Sequence, residues 1–164
     1  MPNEKRGEQM AKKYRIVEHK DPISVCLSDG VNDIRELYDE MLSWQEQMDS
    51  ADMRHLPKYD EVTAAVEVLE RVEELDSAIG EIENLIDAGT IGNEDVTYHA
   101  AVPYGKRAQP RWMRHSTAIN QLQAVVDFLR DSDKGNSEDG VLDAVDELAS
   151  QIGEFESVDF PGMY

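Results

Sequence analysis

The chain has 164 residues, with 35 acids against 16 lysines and arginines and a formal net charge of −19. At 40% hydrophobic residues it is too apolar and too periodic for a disordered acidic tail, yet it holds no apolar run of the roughly 18 residues that a membrane span needs. The charge disfavours direct nucleic-acid binding, which needs a broad basic face, and docking on anionic membranes; it favours partners with basic surfaces.

Residues 1–13, MPNEKRGEQMAKK, lack the apolar core of a signal peptide and read as a flexible tail of a cytoplasmic protein. Gly7-Glu8 can be encoded as a purine-rich ribosome-binding sequence just before Met10, so translation is expected to begin there. Cys26 is the single cysteine, which excludes an internal disulfide and fits a reducing compartment.

From 14 to 155 the pattern predicts one helical domain, followed by a C-terminal tail at 156–164. YRIVEH (14–19) and ISVCLS (23–28) predict two strands, the second because Ile23, Val25 and Leu27 alternate with Ser24, Cys26 and Ser28. Lys20-Asp21-Pro22 supplies the turn of an N-terminal β-hairpin. Ser28-Asp29-Gly30 then caps a helix over about 31–49, whose stripe is Val31, Ile34, Leu37, Met41, Trp44 and Met48. Asp52 to Pro57 breaks that pattern. Val62, Val66, Leu69, Val72, Leu75, Ile79, Ile82 and Ile86 predict a single long helix from Pro57 to a C-terminal cap at Gly89, loosened midway at Gly80.

VTYHAAV (96–102) is an extended segment able to add a third strand to the hairpin. Trp112, Ile119, Leu122, Val126 and Leu129 mark a helix over about 110–131. After the polar run DSDKGNSEDG (131–140), Ser137 caps a last helix bearing Val141, Leu142, Val145, Leu148, Ile152 and Phe155. The expected class is mainly α with a small β-element (α+β), a helical bundle with an N-terminal hairpin.

Catalytic and cofactor motifs are missing from the sequence. His19, His55, His99 and His115 are scattered without a cysteine pair, and Gly105-Lys106 lacks the glycine and hydroxyl spacing of a phosphate loop. The expectation is a non-enzymatic protein without metal or cofactor. Charge pattern carries what functional signal there is. Residues 58–88 hold ten acids and two bases, residues 127–159 eleven acids and two bases, and residues 103–115 four bases and no acid. The candidate partner-binding residues are therefore Glu67, Glu70, Glu73, Glu74, Glu81, Asp139 and Asp143 on acidic helix faces. Lys106, Arg107, Arg111 and Arg114 form a basic latch loop, expected to clasp an acidic helix of its own chain or of a second copy in a homodimer. A solvated helix face explains such acidity equally well.

The segments IRELYDEMLSWQEQM and KYDEVTAAVEVLERVEELDSAIGEIENL, within residues 31–88, resemble small acidic helical proteins of unknown function encoded by bacteriophages and mobile elements. The likeness rests on Trp44, the loop after Met48 and the helix that follows. It implies two classes of function. One is an inhibitor of a host or defence nucleic-acid-binding protein that imitates DNA through its acidic faces. The other is an assembly or accessory protein that self-associates through helices, with the Phe160–Tyr164 tail as apolar contact.

Overall fold

A computed structural model describes residues 14–132 and 140–161. Strand β1 (Tyr14–Pro22) leads into α1 (Ile23–Ser50), α2 (Pro57–Leu69), α3 (Val72–Asp87), β2 (Asp95–Pro103), α4 (Arg111–Ser132) and α5 (Val141–Phe155). The class is mainly α with a two-stranded antiparallel sheet. The expected tail and start site at 1–13, the Ser137 cap, and Met163 and Tyr164 lie outside the described residues.

The sheet is built differently from the expected hairpin. β1 pairs with β2, in a register running from Tyr14 opposite Pro103 to Pro22 opposite Asp95. The intended second strand, 23–28, is instead the first two turns of α1. Ile23, Cys26, Leu27, Gly30, Val31, Ile34, Leu37 and Met41 are all buried at helical spacing, whereas Val25, a core position of the supposed strand, is 38% exposed. The helix can start this early because a segment some seventy residues away satisfies its first donors. Ile23 N–H bonds the Glu94 carbonyl at 2.9 Å, and Ser24 N–H bonds Asn93 Oδ1 at 2.9 Å. Asn93 also donates to Ser24 Oγ at 2.9 Å. Pro22, lacking an N–H, ends the strand ladder where the helix begins.

The long helix expected from 57 to 88 is divided at Glu70-Arg71, not loosened at Gly80, which stays helical within α3. The division redirects the apolar stripe. Val62, Ala65, Val66 and Leu69 are buried along α2, which packs chiefly on α1; Val72, Leu75, Ile79 and Ile82 are buried along α3, which packs chiefly on α5. Gly89 ends α3 as expected. At φ 78° it lets its N–H reach the Ile86 carbonyl and that of Thr90 reach Leu85, the paired bonds of a Schellman motif.

α1 and α4 form the centre, α1 also carrying α2 and α3 while α4 lies between β2 and α5. The core reaches from Ile23 and Leu122 to Phe155, each fully buried, and extends past α5 to Val158. Phe160, offered by sequence as an apolar contact, is half-buried with its ring edge-on to His115, the centroids 5.4 Å apart. No described helix is long and apolar enough to cross a membrane.

Candidate functional site

The fold treats its two charged features in opposite ways. The latch residues Arg111 and Arg114 occupy the first turn of α4, the positive end of the helix dipole, where cations are unfavourable. Carboxylates from α1 offset this. Arg114 Nη2 lies 2.6 Å from Glu40 Oε2 and 3.5 Å from Glu36 Oε2, while Arg111 Nε donates to Glu40 Oε1 at 3.2 Å. Arg111 also lies over the Trp44 ring, 5.4 Å from its centroid. The hydrogen bond from Arg114 holds the Glu40 carboxyl below its ordinary value despite partial burial, and Glu40 in turn raises Arg114. Asp33, one turn before Glu36, is raised by burial and by Glu36, with Arg114 opposing.

Half of the basic loop is therefore committed within the chain, its partners being α1 acids that the sequence reading did not select. Their signal was available: Asp33, Glu36 and Glu40 recur at three and four residues beside the buried Ile34, Leu37 and Met41. Lys106 and Arg107 stay exposed, with no ion pair among the described residues.

The acidic candidates are scattered in sequence and only partly gathered in space. Glu67 sits on α2, Glu70 at the α2–α3 turn, Glu73, Glu74 and Glu81 on α3, and Asp143 in the first turn of α5; all are exposed. Packing of α3 on α5 brings Glu74 and Glu81 opposite Asp143 and Glu147 in one shallow groove of about 360 Å³, floored by Ala78. Glu67, Glu70 and Glu73 do not line it, and Asp139 lies outside the described residues. Glu147 was missed because its place opposite α3 depends on tertiary packing. Its oxygen Oε1 accepts from Gln151 Nε2 at 3.1 Å. None of these four groove carboxylates is ion-paired among the described residues, although the chain pairs other acids freely: Asp76 with Arg35, Glu154 with Arg71, and Asp146 with Arg130.

Cys26, Tyr98 and His115 are each engaged within the fold. Cys26 is wholly buried in α1, and burial followed by the nearby Asp21 pushes its thiol up to about 11, so it stays protonated and poorly nucleophilic. Tyr98 donates to Asp21 Oδ2 at 2.9 Å and stacks on His19. His115 lies 2.8 Å, through Nε2, from the Phe155 carbonyl, and burial pushes its pKa below the ordinary 6.5. Because the unfolded chain then binds a proton that the fold resists, His115 lowers stability as pH falls below about 6.5. His115→Gln, which keeps an N–H donor without titrating, should flatten the decline between about pH 7 and about pH 5.5, read as urea midpoints. An unchanged slope would place the titration elsewhere.

No family model, curated protein or solved structure matches this chain.

Proposed function

We propose that this chain is a non-enzymatic, phage-encoded interaction protein of the host cytoplasm that inhibits or modulates a nucleic-acid-binding host or defence protein, its acidic helical faces standing in for DNA. The observation that carries this reading is the convergence of Glu74, Glu81, Asp143 and Glu147 on one groove with no ion-pair partner among the described residues. Carboxylates held without a cation on two packed helices are available to a partner's lysines and arginines. The two helices also answer a difficulty of charge density. DNA carries one charge per approximately 1.7 Å of axis, so a single helix face is too sparse, whereas two faces combined come closer.

The test is capture of host proteins on the immobilised chain, followed by competition. A nucleic-acid-binding protein should be retained at low salt, displaced by duplex DNA, and released as the Debye length shrinks from about 30 Å in ~0.01 M salt to about 3 Å in ~1 M. Reversing all four groove carboxylates to lysine should abolish capture. Retention that ignores both salt and DNA would overturn the reading.

A self-associating assembly protein is the second reading. It is favoured by Ile16, Tyr104 and Trp112, which are 61%, 55% and 47% exposed, with Lys106 and Arg107 in the adjoining loop. A concentration-dependent mass in sedimentation equilibrium that survives high salt would support this alternative.

A further inference from the structure

A second groove, independent of the acidic one, follows from the way the small sheet ends. Among the described residues β2 has a strand neighbour on one side only, and its backbone shows which residues face away from that neighbour. The His99 carbonyl accepts from Asn120 Nδ2 at 2.8 Å and the Ala101 carbonyl from Gln109 Nε2 at 2.6 Å. These side chains come from α4 and the preceding loop, so the odd-numbered residues of β2 turn their backbone groups away from β1. Thr97 belongs to that set. Its N–H and C=O have no partner among the described residues, as at any open sheet edge.

α4 runs beside this edge. Asn120, Gln123, Ala124, Asp127, Phe128 and Asp131 recur at helical spacing and form the far wall of a groove of about 640 Å³, with residues 95–99 as the near wall. From 120 to 131 the stripe is roughly 16 Å long at 1.5 Å per residue. That length fits about five residues of extended chain. The edge is capped by side chains at His99 and Ala101 and open at Thr97. An open stretch of strand edge flanked by a helix is the geometry in which peptides bind by strand addition, where main-chain bonds supply affinity and alternate side chains supply selectivity.

The walls define the chemistry of the occupant. Ala124 and Phe128 are half-buried and offer an apolar seat. Asp127 and Asp131 lie toward one end, away from the Asn120–His99 contact, and Asp95 is on the same groove; among the described residues, Lys20 is the one lysine or arginine lining it. We propose that the groove between β2 and α4 is a peptide-binding site, which takes an extended segment of a partner protein as a third strand on Thr97. The segment carries a branched apolar residue over Ala124 and Phe128 and a Lys or Arg over Asp127 and Asp131.

The probes are fluorescein-labelled Thr-Val-Thr-Lys-Thr and its reverse, Thr-Lys-Thr-Val-Thr, which allow for both strand directions. One of them should bind saturably to the full chain, moving the amide resonances of Thr97, His99, Ala124 and Phe128. Methylating the amide nitrogen that donates to the Thr97 carbonyl, the central one in the antiparallel direction or the one after it in the parallel direction, should weaken binding by about tenfold. The exposed substitution Asp127→Lys should weaken it by about fivefold while leaving the circular dichroism unchanged. The proposal is overturned if neither peptide saturates, if N-methylation has no effect, or if the shifted resonances fall on α3 and α5. That last result would mean simple attraction of a cation to the acidic groove.

Discussion

Gly30→Val should lower stability by about 3 kcal/mol, at the upper end of what overpacking a core usually costs. Gly30 is buried on α1 where α4 crosses it. A Cβ there would lie 2.8 Å from both Cγ and Cδ2 of Leu122, and 3.4 Å from the Ala118 carbonyl oxygen. Cδ2 can swing aside, but Cγ is the branch point of a fully buried side chain, and the carbonyl belongs to the α4 backbone. Relief therefore requires the helices to separate. Gly30→Ala should cost less, about 1 kcal/mol, because alanine regains nearly that much in helix propensity while making the same first clash. Leu122→Ala alone should cost about 3 kcal/mol through the cavity it leaves. The combination of Gly30→Val with Leu122→Ala should cost clearly less than the sum, since each change relieves the other. Urea unfolding of the four proteins measures the coupling. Strict additivity would mean that the Gly30–Leu122 approach does not set the helix spacing.

The same crossing shows where sequence reading works and where it stops. The apolar stripe from Val31 to Met48 was legible because helical period and burial coincide, and the end of α3 was legible because Gly89 is a local signal for a left-handed residue. The start of α1 was not legible. Ile23, Val25 and Leu27 alternate like a strand, and the donors that make residues 23–24 helical are satisfied by Asn93 and Glu94, far along the chain. The partner of β1 was hidden for a related reason: three helices intervene between the strands, and the extended signal at 96–102 does not reveal whose edge it will join. The candidate site divides along the same line. Acidity of α3 and α5 could be read directly, but not that Glu74 and Glu81 would meet Asp143 and Glu147, which is a property of helix packing. The latch arginines were legible as a basic loop, and their acceptors on α1 became specific only when α1 and α4 were laid together.

Arg114→Glu is the second large effect, an expected loss of about 2 kcal/mol. Solvent screening at the Glu40 side chain, which is 36% exposed, keeps the loss from being larger. The substitution removes the 2.6 Å bond to Glu40 and aims a new carboxylate at Asp33, Glu36 and Glu40, whose charges then repel with Arg111 on Glu40 to oppose them. Arg114→Met, which keeps the bulk and loses the charge, separates the two contributions and should cost about 1 kcal/mol. The pH profile identifies the mechanism. Glu40 titrates below its unfolded value of 4.5, chiefly because Arg114 hydrogen-bonds it. The stabilisation is thus complete above that value and is lost as pH falls through the lower folded value. In Arg114→Met most of this dependence should vanish, so wild type and variant should converge as pH drops from about 5 to about 3. Exchanging the charges, Glu40→Arg with Arg114→Glu, should recover part of the stability but not all, because the guanidinium introduced at position 40 would face that of Arg111. A loss that is equal at every pH would make Arg114 a packing residue on α4 and remove the electrostatic latch from the account of this fold.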